Sequence, residues 1–137
     1  MRFGKARIRK EGKDHTVVTY GNTTHMCLRV ADKIAREENR SVEVIDIRSI
    51  IPLDKETITI SVKKTNRAVV VHEDKVFSGF GGEIASMISQ DLFEYLDAPV
   101  KRVGSAFTPV GFNRVLEKAT LPNDEKIYEA VKEILNY

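Results

Sequence analysis

The densest group of reactive side chains is His72-Glu73-Asp74, followed closely by Ser78-Gly79-Phe80-Gly81-Gly82-Glu83. An imidazole beside a carboxylate can move a proton. A glycine-rich turn that opens a helix can aim free N–H groups at an anion, which makes Gly81 and Gly82 candidates for a phosphate or carboxylate cradle. Two features weigh against both ideas. Adjacent residues at a strand end point to opposite faces, so His72 and Glu73 do not converge on one reacting atom. The turn also lacks Gly-x-Gly-x-x-Gly spacing and the Lys-Ser/Thr of a P-loop. The alternative is that the glycines permit a tight turn and close helix-to-sheet packing.

The remaining candidates are scattered. His15, His25 and His72 share no HxxxH or HExxH spacing, so they predict no metal site. His25 lies beside Met26 on the apolar side of its helical pattern and is expected to pack there. Cys27 has no basic neighbour on its helical face to stabilise a thiolate, and is expected to pack as a small apolar residue. Ser105 and Thr108 lack a nucleophile elbow. From residue chemistry alone there is no catalytic, metal-binding or cofactor-binding set.

The elements that must carry these residues alternate. Strand patterns cover Ala6 to Lys10, His15 to Tyr20, Val42 to Ile47, Arg67 to His72 and Val100 to Val103. The unbroken run Ala68 to Val71 fits a strand covered on both faces. Met26, Val30 and Ile34 mark one face of a helix from about Asn22 to Glu38. Ile84, Met87, Ile88, Leu92 and Tyr95 mark another from Gly82, ended by Asp97-Ala98-Pro99. Ile127, Ala130, Val131, Ile134 and Leu135 mark the last, with Asn123 as its cap.

Thr57 to Val62 alternates like a strand. It joins two parallel strands, however, and such a crossover is usually helical, so it is read as helix. Gly104 to Leu121 is a long Pro- and Gly-punctuated stretch with a short helix near Arg114 to Lys118; loops of that length tend to be functional or interfacial. Strand and helix in alternation predict a mainly parallel sheet with helices on both faces.

Composition narrows the function classes. With 137 residues, 42% of them hydrophobic and 31% charged, the chain has the size and balance of one globular domain. Its apolar runs are far shorter than the ~20 residues of a membrane span. One cysteine excludes a disulfide framework, and a reducing, cytoplasmic setting is expected. Twenty-two basic and 20 acidic residues leave a net charge of +2. The N-terminal cluster Arg2, Lys5, Arg7, Arg9, Lys10 and Lys13 has no interleaved aromatics, so a solvated edge strand explains it better than a nucleic-acid surface.

Several blocks together resemble the C-terminal domain of the transketolase family: Val18-Thr19-Tyr20-Gly21, Val42 to Asp54, Ser61-Val62-Lys63-Lys64-Thr65, Val70-Val71-His72-Glu73, Gly79 to Ile84, Leu96-Asp97-Ala98-Pro99 and Leu116-Glu117-Lys118. The chain is most similar to the β-subunit portion of the decarboxylating component of 2-oxo acid dehydrogenase complexes, of branched-chain (2-oxoisovalerate) type. The likeness runs in order from about Gly4 to Tyr137. It implies a three-layer α/β/α sandwich whose mixed five-stranded sheet has its first strand antiparallel. Residues 1–137 are read as a single such domain, with 1–4 as linker.

The resemblance also implies a role. The complete enzyme uses thiamine diphosphate and a divalent metal to decarboxylate a 2-oxo acid and acylate a lipoyl group. Its Gly-Asp-Gly metal–diphosphate motif is not in this sequence, so the chain alone is expected to be inactive and to hold neither group. The implied work is packing against the pyrimidine-binding domain, the α portion and a dimer mate, and docking the subunit-binding domain of the dihydrolipoyl acyltransferase. The positions matching the family's docking charges are Asp97 and the terminal carboxylate of Tyr137. The plain alternative for Asp97 is a turn residue before Pro99. The rival function is a stand-alone small-anion or phosphate module using the Gly79 to Glu83 turn.

Overall fold

The computed structural model describes residues 2–137. Five strands form one sheet: β1 (Arg7–Lys10), β2 (His15–Thr19), β3 (Val42–Asp46), β4 (Ala68–Lys75) and β5 (Lys101–Ser105). Their order is β1-β3-β2-β4-β5, with β1 antiparallel to β3 and every other pair parallel. The helices are α1 (Thr23–Glu38), α2 (Lys55–Thr65), α3 (Phe80–Asp91), α4 (Arg114–Thr120) and α5 (Asp124–Leu135). Among the described residues no helix is long and apolar enough to cross a membrane.

Strand pleat divides the core into two layers. Val17, Val44, Val69 and Val71 pack with α1 and α5 on one face. Val18, Ile45 and Val70 pack with α2 and α3 on the other. The expected α/β/α sandwich with its antiparallel first strand is the observed fold. β1 is the exposed edge, and its basic residues meet acids: Arg9 lies 3.7 Å from Asp46, and Lys10 pairs with Asp32.

Thr57 to Val62 is helical, as the crossover argument requires. Asp54 caps α2 by accepting from the Thr57 N–H at 3.2 Å. The Thr16 hydroxyl meets both Ser61 and Thr65 at 2.7 Å, fixing the polar side of α2 on β2. Asn123 accepts from the Lys126 N–H at 3.0 Å and caps α5 as expected.

Three details differ from the sequence reading. β4 runs on to Lys75, because after an irregular stretch at His72-Glu73-Asp74 it pairs with β5 again at Lys75–Ser105. α3 stops at Asp91; Leu92 leaves helical geometry and Phe93–Tyr95 form a separate 3₁₀ turn. His25 is exposed rather than packed, because the buried stripe of α1 runs through Thr24, Cys27, Ala31 and Ile34.

Candidate functional site

Two regions hold the candidate residues: the crevice above β2 and β4, and a groove beside the end of α5. From β2 the chain crosses to β3, and from β4 to β5 on the opposite side, so the carboxyl ends of β2 and β4 form the switch point where α/β sheets commonly bind ligands. Here that crevice is plugged. The Tyr20 ring stands 6.1 Å from His72 and 6.3 Å from Phe80. Burial, with the charge of Asp74 second, raises the Tyr20 phenol above its ordinary range.

His72 is fully buried and Glu73 is exposed, so the two point apart as the strand pleat dictates. The Nδ1 of His72 lies 3.0 Å from the Asp74 carbonyl, while Nε2 has no hydrogen-bond partner among the described residues. Glu73 accepts from the Asn22 amide at 3.4 Å.

The glycine turn is shaped by that imidazole. A Cβ on Gly81 would stand 2.2 Å from His72 Nε2, so the ring fills the space a ligand would need. The Gly82 N–H is already donated to the Gly79 carbonyl at 3.1 Å, and Glu83 sets a carboxylate on the first turn. Gly81 therefore serves close packing against His72, whereas a Cβ on Gly82 would meet only the end of Arg102. With the Gly82 N–H already donated and the Glu83 carboxylate beside it, the turn is poorly made for a phosphate or the diphosphate of thiamine. No three His, Cys, Asp or Glu side chains converge as metal ligands among the described residues. Cys27 is buried, and burial pushes its thiol up to about 12. Ser105 is buried and donates its hydroxyl to the Glu73 carbonyl, an arrangement that anchors β5 to β4.

The second region brings Asp97 and Tyr137 together. Both line one groove of about 470 Å³, floored by Leu96, Ala98, Pro99 and Val100. The groove is built by the α2–β4 turn. Asn66, in the left-handed region, accepts the Asp97 N–H at 2.9 Å and donates its side-chain amide to the Tyr95 carbonyl at 2.7 Å. Arg67 reaches two ways: its Nη1 lies 3.6 Å from Asp97 Oδ2, and its Nε donates to the Ile134 carbonyl at 3.2 Å. One guanidinium thus ties the Asp97 turn to the last turn of α5. The Asp97 side chain stays 58% exposed, leaving its other oxygen open to solvent. Sequence reading missed Asn66 and Arg67; the one local signal was an Asn directly after a helical pattern, where a left-handed cap is common.

These features define an α/β sandwich with a closed strand-end crevice and an open charged groove at the opposite end. Residues 4–127 match the family described as "Transketolase, C-terminal domain", and the chain belongs to that family. Its relatives include the "Pyruvate dehydrogenase E1 component subunit beta" of Rickettsia felis, 43% identical over 135 residues, covering 98% of this chain and 41% of that protein. The mitochondrial "Pyruvate dehydrogenase E1 component subunit beta-1" of Arabidopsis thaliana is 45% identical over 130 residues, covering 95% of this chain and 36% of that protein. A solved structure described as "Split gene transketolase, inactive beta4 tetramer" superposes with a TM-score of 0.81 at 30% identity, covering 99% of this chain and 43% of that one. The chain spans about two fifths of the length of the curated relatives it matches.

Proposed function

We propose that this chain supplies the C-terminal domain of the β portion of a 2-oxo acid dehydrogenase decarboxylating component, where it serves assembly and docks the acyltransferase core. The observation that carries the docking role is the shared groove. Asp97 and Tyr137, distant in sequence, line the same groove together with Leu96, Ala98, Pro99 and Val100. The exposed Asp97 carboxylate beside these apolar residues suits a basic, partly apolar surface such as an acyltransferase subunit-binding domain, because a guanidinium fork can take a carboxylate's two acceptors at once.

Assembly is supported by a second surface. Phe77 and Phe107 are exposed and lie 4.8 Å apart with their rings tilted by 54°, and Phe112 and Val115 of the 106–120 segment are exposed as well. Large apolar side chains left exposed in this way mark a surface that another body covers. In the whole enzyme that body is the pyrimidine-binding domain or the α portion, and those parts hold the thiamine diphosphate and its metal. The finer assignment, a branched-chain 2-oxo acid as substrate, is tested by assaying the assembled enzyme on 2-oxoisovalerate against pyruvate.

Docking is tested by calorimetry with the subunit-binding domain of the organism's own acyltransferase. Asp97→Ala combined with a C-terminal tag is expected to weaken binding by roughly 2–5 kcal/mol. Asp97→Asn, which keeps the turn's shape, separates lost charge from lost fold. Undiminished binding by all variants refutes the docking role.

A further inference from the structure

The two open edges of the sheet are finished differently. β1 is a short strand with exposed Arg7 and Arg9 and a register irregularity between Ile8 and Lys10, the devices that keep an edge from pairing. β5 pairs with β4 alone, and its other edge opens into a groove of about 770 Å³, mainly apolar, between β5, α4 and α5. Only its far end is closed, where the Ala106 N–H donates to the Thr120 carbonyl at 2.9 Å.

The groove has two chemically distinct sides. Lys101 and Val103 face α5, where Lys101 pairs with Glu133 and Val103 joins the core. Arg102 faces α3, with its Nη1 bound to the Val76 carbonyl at 2.8 Å. No carboxylate pairs with Arg102 or Lys118, and no cation pairs with Glu125 or Glu129, among the described residues. The floor between these charges is Val103, Val115, Ala119 and Ala130.

We infer that this edge accepts a short extended segment of a partner polypeptide as a sixth strand. A strand laid beside β5 would satisfy edge N–H and C=O groups, and its alternating side chains would meet the two sides in turn. Charge sets the pattern: apolar and basic residues toward α5, where Glu125 and Glu129 stand, and an acidic residue toward Arg102. A second copy is a separate outcome of the test, since antiparallel pairing of β5 with itself about Val103 would set Lys101 opposite Ser105 and Arg102 opposite Gly104. The inference is independent of the Asp97 groove.

The probe is the capped peptide Thr-Val-Asp-Val-Thr-Lys, which carries that alternation, at millimolar concentration with the full chain. Amide exchange at those alternate residues of Lys101 to Gly104 whose N–H groups face the open edge is expected to slow by roughly tenfold, and a peptide N-methylated at alternate residues is expected to leave it unchanged. Ala119→Arg changes an exposed helix position and fills the groove, so it is expected to abolish the effect while Asp97 docking persists. Arg102→Glu is expected to favour a peptide carrying lysine in place of aspartate. Unchanged exchange at β5, or equal slowing by the N-methylated peptide, overturns the proposal. So does a dimer by sedimentation whose β5 amides are protected without peptide.

Discussion

Gly81 lies so close to His72 that a Cβ there would stand 2.2 Å from the imidazole Nε2 and 2.5 Å from Cδ2. Two further glycines approach the same ring: a Cβ on Gly104 would meet Cε1 at 2.9 Å, and one on Gly79 at 3.1 Å. The ring is buried on β4, so these glycines let α3 and β5 close over it. The pattern that suggests an anion cradle is thus the imprint of a buried side chain. A phosphate site and a packing site share the need for glycine, and what separates them is which atom occupies the vacated volume.

Gly81→Ala is therefore expected to lower stability by about 1–3 kcal/mol, the usual cost of forcing a methyl into a filled core. Gly82→Ala is the matched control: its Cβ would meet only the end of the Arg102 side chain at 3.2 Å, and a helical alanine gains up to about 1 kcal/mol over glycine. Urea titrations of both variants decide the matter. Equal losses would falsify the packing account of the turn.

Cys27 is 1% exposed, and its thiol is pushed up to about 12 by burial. A disulfide reagent at pH 8 is expected to leave it unmodified in the folded protein and to label it fully in urea. Rapid labelling without denaturant would mean that α1 opens locally far below the global unfolding energy.

Glu43 is fully buried on β3, and Lys64 of α2 reaches it from a 42% exposed position. Burial alone would raise this carboxyl, but donors from Lys64, Ser61 and the Gly12 backbone outweigh it and hold it below the ordinary range. Its contribution is present above the ordinary carboxylate pKa and fades as pH falls. Lys64→Met at pH 7 is expected to cost about 1–3 kcal/mol, less than for a fully enclosed pair because solvent already screens the ammonium. Adding Glu43→Gln is expected to recover most of that loss; thermal melts of the single and double variants measure the coupling.

How far the sequence could be read depended on whether the deciding contact was local. Ala68 to Val71 announced a doubly covered strand, and Asn123 announced a helix start, because burial and capping act within a few residues. The helix over Thr57 to Val62 ran against its β-branched alternation and was legible only from topology; in the fold Ile58, Ser61, Val62 and Thr65 turn one face to β2. The early end of α3 was hidden because Leu92 and Tyr95 continue the helical spacing through a 3₁₀ turn. At the candidate docking groove the motif resemblance reaches Asp97 and Tyr137, but Arg67, which joins the Asp97 turn to α5, comes from a segment far away in sequence and leaves no local trace.

His15 supplies the last test, because it is an ionisable ring placed where ionisation is strongly disfavoured. It begins β2, is fully buried, and has no hydrogen-bond partner for either ring nitrogen among the described residues. Burial drives its pKa from 6.5 down to about 3; the Thr16 backbone offsets part of this, and the charges of Arg67 and Arg40 add to it. The unfolded chain takes up this proton near pH 6.5 and the folded chain only near pH 3, so unfolding binds protons throughout that window. Stability from this residue is complete above pH 6.5 and falls by about 1.4 kcal/mol per pH unit below it. Between pH 7.5 and 5.0, urea unfolding of the native chain is expected to lose stability more steeply than that of His15→Asn, which carries no titrating group at this position. Because the comparison is a difference of slopes, it stands even if His15→Asn is less stable at every pH. Parallel slopes would mean that His15 is protonated or solvated in the folded state, and would overturn the burial argument.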